Sequence, residues 1–449
     1  MNNIFASKRP IRRIGLLSPT SGNLGNATMQ SAMIASLRKR IAGVEIVGIT
    51  LNPADTRCRH GIRAFPLAAV SRPYFTLFTS NGSRTQQQQA RAISRIRQWV
   101  KQIPLLGKAL RAIRNCGKEL AHIVMAARVV SGLDRVIVPG GGAVDDLWGG
   151  AWGHPWSLFK WSVLSRAYGV PFLFVSIGKS SLEQPLSRLF VRVALRLAAY
   201  RSYRDYESKI AVQTLIDARN DPVYPDLAFS YPDATSRTSP RNGSQNGRLV
   251  VGVSPIAYCD PRAWPRKDER RYTAYVGQMA EMVNWLTKQG YRVLFFTTDA
   301  PDTATVEDVQ ATISGSAIDA GAIQTLPSPM DQSPESLMKG ISRADLVIAS
   351  RLHGVILSHL NAIPVLALSF DPKVDAHMNA MQQKEYCLSI DHFQPETLIE
   401  RFSALKAARQ REHDRLRSIG LRFRDLLESQ YDELLGEASS DPIRDAAQN

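Results

Sequence analysis

Residues 344–374, ADLVIASRLHGVILSHLNAIPVLALSFDPKV, contain two short apolar runs separated by a turn and a helical stretch. The runs are residues 346–349 and 365–369, and both consist mainly of Leu, Val, Ile and Ala. Short apolar runs that alternate with helices are typical of strands buried in a parallel sheet. The segment therefore predicts a strand, a helix that begins near Arg351 and ends near Leu360, and a second strand parallel to the first.

The same alternation extends in both directions along the chain. Further strands are predicted at residues 13–18, 44–51, 135–138, 171–177, 200–204, 249–254, 292–297 and 386–390. Residues 230–247, SYPDATSRTSPRNGSQNG, have almost no apolar side chain and indicate a linker. We therefore predict an α/β fold with two Rossmann-like domains that face a cleft, the GT-B-type arrangement. The predicted division is an N-terminal domain 1–229, a linker 230–247, a C-terminal domain 248–400, and a C-terminal helix and tail 401–449.

The chain has 449 residues and a net charge of +16, and this charge is unevenly placed. Residues 1–135 hold 22 Lys and Arg against four acidic residues, so the rest of the chain is close to neutral. A polyanion-binding role for the whole protein is therefore excluded, and no recognised nucleic-acid motif accompanies the basic region. We predict no nucleic-acid partner.

One part of that basic region, residues 84–130, is predicted as a helical insertion because it does not follow the strand pattern. Ile93, Ile96, Val100 and Ile103 share one helical face, and basic residues cover the other surface. One interpretation is a solvated insertion that packs its apolar face on the domain. The other is contact with an anionic membrane surface.

Two further features bear on the location of the protein. No apolar run reaches the 18 or so residues that a spanning helix needs, and no export signal is recognisable. The four cysteines are widely scattered, which fits neither a disulfide framework nor a thiolate metal site. We expect a cytoplasmic protein with no recognisable cluster of metal ligands; under the second interpretation of the insertion, membrane contact is peripheral and on the inner face.

Two glycine-containing loops are candidate binding sites in the N-terminal domain. Asn23, Gly25 and Asn26 follow the first strand and precede a helix whose N-terminus can bind an anion or a sugar hydroxyl. A tight structural turn explains this loop equally well. The second loop contains Gly141 and Gly142 after the strand at 135–138, followed by a stretch with carboxylates and tryptophans, namely Asp145, Asp146, Trp148, Trp152 and Trp156. Carboxylates beside tryptophan faces suit a carbohydrate, although packing of the tryptophans is an equal alternative.

The turn after the strand at 346–349 is the stronger candidate. Arg351, Leu352, His353 and Gly354 would stand at a helix N-terminus above the sheet, where the helix dipole, free N–H groups and a guanidinium favour a phosphorylated anion. Arg204 follows another strand and could supply a second cation, with Asp205 capping the next helix.

Taken in order, these motifs resemble those of the polysaccharide pyruvyl transferase family over most of the chain. The matching elements are Asn23-Leu24-Gly25-Asn26, Gly140-Gly141-Gly142, Ser176-Ile177-Gly178, Arg204-Asp205-x-x-Ser208, Pro225-Asp226, and Arg351-Leu352-His353-Gly354 followed by Ile363-Pro364 and Lys373. Each motif is short, but six in the same order are specific. Asn26 stands where many members of the family have Asp.

The resemblance implies transfer of pyruvate from phosphoenolpyruvate to two hydroxyls of a sugar in a cell-surface or exopolysaccharide precursor, forming a cyclic ketal. By this implication the C-terminal domain binds the donor through Arg351, Leu352, Gly354 and Lys373, and Arg204 of the N-terminal domain is a further ligand for the anion. His353 is the predicted acid, with a pKa set near neutrality by its anionic neighbour. The base is predicted as Asp145 or Asp146. Phosphoenolpyruvate is a co-substrate, and no cofactor is expected.

On the acceptor side, the predicted ligands are Asn23, Gly25, Asn26, Gly141, Gly142 and Trp152. The acceptor would be a sugar or a lipid-linked oligosaccharide, in which case the insertion could hold the enzyme at the membrane. Two alternatives remain open from the sequence. One is a nucleotide-sugar glycosyltransferase on the same GT-B frame, and the other is a non-catalytic basic membrane-associated module.

Overall fold

The computed structural model describes residues 10–19, 22–69, 104–147, 149–179, 181–232, 248–313 and 321–435, with side chains of the 104–130 helix described from residue 114 onward. Residues 84–103 of the predicted insertion, all but three residues of the predicted linker 230–247, and the tail after residue 435 therefore lie outside the described residues. The domain division given above stays a prediction.

The first of two sheets contains six parallel strands in the order β3-β2-β1-β4-β5-β6. Their bounds are β1 Arg13–Ser18, β2 Glu45–Thr50, β3 Arg63–Pro66, β4 Arg135–Pro139, β5 Phe172–Ile177 and β6 Tyr200–Tyr203. The strands β4 and β5 are buried along their whole length, which explains their continuous apolar sequences.

The second sheet repeats this plan with the order β12-β11-β10-β7-β8-β9, again parallel throughout. The bounds are β7 Val250–Ser254, β8 Arg292–Phe295, β9 Ile323–Thr325, β10 Leu346–Ala349, β11 Val365–Ser369 and β12 Cys387–Ser389. Residues 344–374 form the strand, helix and strand that the sequence predicts. Two Rossmann-like sheets confirm the α/β fold class.

Helices connect the strands and cover both faces of each sheet. In the described residues they are α1 Leu24–Arg40, α2 Pro53–His60, α3 Pro104–Val130, α4 His154–Ala167, α5 Pro185–Leu197, α6 Tyr206–Gln213, α7 Glu269–Lys288, α8 Asp302–Thr312, α9 Pro334–Ile341, α10 Leu352–Leu360, α11 Pro372–Ala380, α12 Pro395–Ala407 and α13 Arg409–Leu435. Short 3-10 helices lie at Leu227–Ser230 and Lys384–Tyr386.

The strand order reverses between β1 and β4 in the first sheet and between β7 and β10 in the second. In open parallel sheets, ligands bind outside the carboxyl ends of the strands at such reversal points. The loops after these strands, which include the two glycine loops and the Arg351 turn, therefore belong to the region of each domain where a ligand is expected.

The C-terminal helix α13 joins the two halves of the molecule. It begins beside the second sheet, where Leu416 is buried, and its last turns pack on the first sheet. Gln430 donates to the Ser202 hydroxyl at 2.8 Å, and the Arg135 guanidinium donates to the Leu434 carbonyl. Leu427 of this helix is buried, whereas Leu426 is 44% exposed.

The helix α3 is the described part of the predicted basic insertion. Ala126 and Val130 are buried against the first sheet, whereas Leu120 and Val124 are 65% and 52% exposed. Glu119 of this helix pairs with Lys160 of α4 at 2.7 Å. No helix in the described part of the chain combines the length and the apolarity needed to cross a bilayer.

Candidate active site

A cavity of about 400 Å³ lies between the carboxyl ends of the two sheets. Both halves of the molecule contribute to its wall. Its lining includes Ser18, Asn23, Asn26, Gly140, Gly141, Gly142, Asp145, Trp152, Arg204, Trp264, Asp299, Arg351, Leu352, His353, Phe370 and Lys373. Most of the predicted site residues are therefore brought together, although they come from strand ends far apart in the chain.

The loop at the start of α1 connects the two halves next to this cavity. The Asn23 side chain caps α1 by accepting from the Asn26 N–H at 2.9 Å. The Leu24 N–H donates to the Thr298 carbonyl at 2.8 Å, and the Ala300 N–H donates to the Gly22 carbonyl at 3.1 Å. This loop is therefore both a helix cap and an interdomain contact, which fixes its position relative to the C-terminal half.

Gly25 has a steric role that the sequence did not indicate. A Cβ at this position would lie 2.0 Å from Cγ of His353, so the imidazole packs directly on the Gly25 backbone. Gly25 is not part of the cavity lining, unlike its neighbours Asn23 and Asn26. The glycine allows the histidine to approach α1, and no side chain can be added without displacing one of them.

The glycine triplet forms another part of the wall. Gly140 and Gly141 have φ values of +58° and +68°, which favour glycine. The Gly178 N–H donates to the Gly141 carbonyl at 2.7 Å, and a Cβ on Gly141 would lie 3.3 Å from Oδ1 of Asn26. The backbone of the triplet is therefore exposed to the cavity with no side chain in between.

Trp152 also lines the cavity and is 57% exposed. Its ring is supported from behind by Trp156 and Phe190, with ring centroids 5.4 and 5.6 Å away. Packing therefore accounts for Trp156, whose indole N–H donates to Glu119 at 2.8 Å. The exposed face of Trp152 can stack on a sugar ring. Trp148 lies outside the described residues.

The two carboxylates predicted as bases differ in position. Asp146 is buried outside the cavity lining, and one of its oxygens accepts from the N–H groups of Glu183 and Gln184 at 3.0 and 2.9 Å. It stabilises the start of α5. Asp145 does line the cavity, and its Oδ1 accepts from the Leu147 N–H at 2.7 Å. Of the pair, Asp145 alone is within reach of a ligand in the cavity.

His353 is buried in the first turn of α10 and borders the cavity. Its Nε2 has no hydrogen-bond partner among the described residues. The pKa of His353 is lowered to about 4, mainly by burial; the charge of Asp226 opposes this, and the positive charges of Arg204, Lys373 and Arg351 contribute to it. The imidazole is therefore neutral at pH 7, and the near-neutral pKa expected beside an anionic donor requires the charge of that donor.

Arg351 precedes α10 and is held by two carboxylates. Its Nη2 donates to Oδ1 of Asp302 at 2.7 Å, its Nε donates to the other oxygen of Asp302, and its Nη1 lies 3.1 Å from Oδ2 of Asp299. Asp302 also accepts from the Ala257 N–H at 2.9 Å. This arrangement fixes the guanidinium at the beginning of α10, while Arg351 itself provides no side-chain cap for the helix.

Arg204 and Lys373 have looser partners. Arg204 is 3.3 Å from Asp226 and 3.4 Å from Asp205, and Lys373 is 3.2 Å from Asp371. Charge-assisted hydrogen bonds are usually about 2.7–2.9 Å long, so these pairs are not optimal. The pKa of Lys373 is lowered by burial and also by the charges of Arg204 and Arg351. Both cations line the cavity.

The remaining predicted donor ligands differ in their contacts. Leu352 is 5% exposed and lines the cavity, so it can offer an apolar contact. Gly354 is not in the lining, and a Cβ there would lie 3.1 Å from the Ser254 hydroxyl. Gly354 therefore permits close packing of α10 on the strand β7.

Sequence reasoning missed two aspartates of the site, Asp299 and Asp302. Both follow β8, whose carboxyl end adjoins the same crevice as the Arg351 turn. The signal was present, because polar residues just after a parallel strand are candidates for a ligand site. Asp299 lies 52 positions and Asp302 lies 49 positions before Arg351, so their pairing with this arginine depends on tertiary structure.

Comparisons with known proteins agree with this architecture. The S. aureus MnaA–UDP structure is 10% identical, covers 94% of each chain and gives a TM-score of 0.53. A glycosyltransferase from Rickettsia africae ESF-5 is 10% identical, covers 96% of this chain and 100% of its own, and gives 0.55. A UDP-GlcNAc 2-epimerase from Methanocaldococcus jannaschii is 9% identical, covers 87% of this chain and 92% of its own, and gives a TM-score of 0.51. At such identities the similarity shows the fold alone, which is GT-B-type.

A comparison with curated proteins gives no match. The family model described as polysaccharide pyruvyl transferase matches residues 23–372, which include both glycine loops, Arg204, and the Arg351 turn. The match covers most of the chain and agrees with the motif order and with the cavity in which those motifs meet. The protein is therefore a transferase that belongs to the polysaccharide pyruvyl transferase family.

Proposed function

We propose that phosphoenolpyruvate is the pyruvyl donor and that it binds between His353, Arg204 and Lys373. The observation that carries this proposal is the buried His353, whose Nε2 has no partner in the described residues and which stands at the N-terminus of α10 with cations on its cavity side. A doubly anionic donor compensates the charges that lower the pKa of this histidine.

The donor carries a phosphate and a carboxylate, and the site offers a cation for each. Arg204 and Lys373 are suited to this role because their present pairs are 3.2–3.4 Å long and leave room for a better partner. Arg351 is held by Asp302 and Asp299 in a tighter arrangement. We assign it mainly to positioning the N-terminus of α10, whose dipole also favours the anion.

The reaction then follows from the donor's chemistry. His353, protonated in the presence of the anion, gives its proton to the methylene carbon, and a cation develops at the adjacent carbon. A first sugar hydroxyl adds to that carbon and loses its proton. Phosphate then leaves as its C–O bond breaks, and the second hydroxyl adds to close the cyclic ketal. One of the two hydroxyl protons returns to His353 and restores its protonated form, and the other leaves with phosphate.

The acceptor is a sugar, which we place on the N-terminal side of the cavity. Trp152 offers an exposed aromatic face, and Asn26 and the glycine triplet offer polar groups near it. A precursor of an exopolysaccharide, free or lipid-linked, has the required pair of hydroxyls.

Peripheral contact with an anionic membrane is a separate proposal for α3. Arg114 and Lys118 are exposed on this helix, near the exposed Leu120 and Val124. Arg91, Arg95 and Lys101 of the same insertion lie outside the described residues. Reversing the charges of Arg114 and Lys118 to Glu should reduce binding to liposomes that contain anionic lipid, and unchanged binding would refute the proposal.

Calorimetry at fixed salt tests the donor assignment without an acceptor. Phosphoenolpyruvate should bind saturably to the wild type and to Lys267→Ala, an exposed lysine of the same half of the molecule, and at least tenfold more weakly to Lys373→Ala and Arg204→Ala. A nucleotide-sugar serves as comparison ligand. Binding of the nucleotide-sugar without binding of phosphoenolpyruvate would favour a glycosyltransferase instead.

A further inference from the structure

Asp299 occupies a position in the cavity that the donor assignment leaves without a role. It follows β8, lines the cavity, and has a side chain that is 21% exposed. Its backbone forms an isolated antiparallel bridge with Asn23, and the Asn23 side chain hydrogen-bonds its carboxylate. This carboxylate from the C-terminal half therefore lies beside the acceptor-side loop of the N-terminal half.

Asp299 shares one guanidinium with a second carboxylate. Asp302 is fully buried, receives two hydrogen bonds from Arg351 and a third from the Ala257 N–H, and so compensates the arginine charge. Asp299 lies 3.1 Å from Nη1 of the same guanidinium through its Oδ2. Two carboxylates around one cation leave one negative charge in excess, and that charge is the one that can take up a proton.

The surroundings of Asp299 raise its pKa, as a catalytic base requires. Burial is the main cause that raises the pKa of Asp299 to about 6, and Asp302 adds to it, while Arg351, the Asn23 side chain and the Ala300 N–H oppose it. The other titratable groups of the cavity wall are His154, His353, Arg204, Lys373 and Asp145. A carboxylate with a pKa near 6 is ionised at pH 7 and is a stronger base than an ordinary aspartate.

Three other carboxylates near the cavity accept hydrogen bonds from backbone N–H groups and so cap helices. Asp205, Asp226 and Asp371 each accept from an N–H in the first turn of the helix that follows, at 2.6, 3.0 and 3.1 Å. Each also pairs with Arg204 or Lys373. Protonating any of them would weaken a helix cap and a pair with a cation that we assign to the donor.

We infer that Asp299 is the catalytic base that removes the proton from the attacking sugar hydroxyl. This inference rests on the proposed pyruvyl transfer. It concerns the proton that the first sugar hydroxyl loses, as distinct from the proton that His353 gives to the donor. As the hydroxyl oxygen forms its bond to the central carbon of the donor, the O–H bond breaks and the proton passes to a carboxylate oxygen of Asp299. Asp299 then releases the proton to the departing phosphate or to water before the second hydroxyl reacts.

In this proposal the residues that act on the donor differ from the residue that acts on the acceptor. His353 and the two cations hold and protonate the donor, whereas Asp299, joined to the Asn23 loop, faces the acceptor. The carboxyl group is held by Arg351, so the arginine positions acid and base together: its backbone begins the helix that carries His353, and its side chain orients Asp299.

The test uses the full-length protein, radiolabelled phosphoenolpyruvate, and a heat-treated extract of source cells lacking the gene, which contains the natural acceptor. The readout is label in acid-labile ketals. Asp299→Asn should bind phosphoenolpyruvate within about twofold of the wild type yet form ketals about 10²–10⁴-fold more slowly. Asp425→Asn, an exposed residue of α13, is the matched control and should remain active.

Two additional variants separate the possible outcomes. Formate should restore part of the activity of Asp299→Ala, because it supplies a carboxylate to the space left by the side chain. Asp145→Asn tests the competing base. Normal ketal formation by Asp299→Asn, or a loss confined to Asp145→Asn, would overturn the assignment of the base while leaving pyruvyl transfer intact. Absence of ketals with the wild type would instead refute the proposed function itself.

Discussion

Donor binding should be coupled to the uptake of a proton by His353. Burial and three neighbouring cations lower the pKa of this imidazole to about 4 from an ordinary 6.5, so protonating it costs roughly 3 kcal/mol more than in water at about 1.4 kcal/mol per pKa unit. A donor with two anionic groups opposes the cations and raises this pKa. Between the free and bound pKa values, the affinity for phosphoenolpyruvate should fall up to about tenfold for each unit by which the pH rises.

Calorimetry in buffers of different ionisation enthalpy measures this uptake directly, because the apparent binding enthalpy then varies with the buffer. His353→Gln provides the matched control, since it cannot be protonated but retains a polar group near the position of Nε2. Subtracting its result removes any proton exchange by the donor. We expect an uptake near one proton per donor at pH 6 in the wild type and none that is attributable to residue 353 in the variant. Equal uptake by the two proteins would refute the assignment of His353 as the acid.

Three more predictions concern steric fit, acid stability and the arginine turn. Gly25→Ala should reduce ketal formation about a hundredfold or more, because its Cβ would lie 2.0 Å from His353 Cγ, whereas Gly277→Ala in open space on α7 should be active; equal activity of the two would contradict the packing argument. The free energy of unfolding, measured with urea, should decrease as the pH falls from 6.5 to 4, because burial lowers the pKa of His154 and His353 to about 4 and the unfolded chain binds more protons in that window; a constant or rising value would contradict this. Arg351→Lys should lower the thermal midpoint and the ketal-forming rate together, because lysine cannot make the paired contacts to Asp302, and wild-type values for both would show that these contacts are unimportant.

Local sequence pattern was sufficient for most of the fold. The segment 344–374 predicted β10, α10 and β11 because each buried strand is short, apolar and followed by a helix. The edge strands β3 and β9 were missed, because they have four and three residues and are partly exposed, so they lack a continuous apolar run.

Individual residues of the candidate site could be predicted from the sequence, but the contacts between them could not. His353 and Arg204 could be proposed from strand ends and helix starts, Lys373 followed from the family resemblance, and the three residues meet in one cavity. The contact of Gly25 with His353 and the pairing of Arg351 with Asp302 involve residues hundreds or tens of positions apart. No local pattern encodes such contacts, since they depend on how the two sheets face each other.

The proposed reaction of this cavity is the transfer of a pyruvyl unit from phosphoenolpyruvate to a sugar. Mass spectrometry of the product formed in deuterated water from phosphoenolpyruvate and the natural acceptor tests this reaction, with phosphate release measured in parallel. Pyruvyl transfer predicts a ketal whose methyl group carries one deuterium, and one phosphate released per ketal. Phosphate on the sugar, or phosphate release without a ketal, would contradict it.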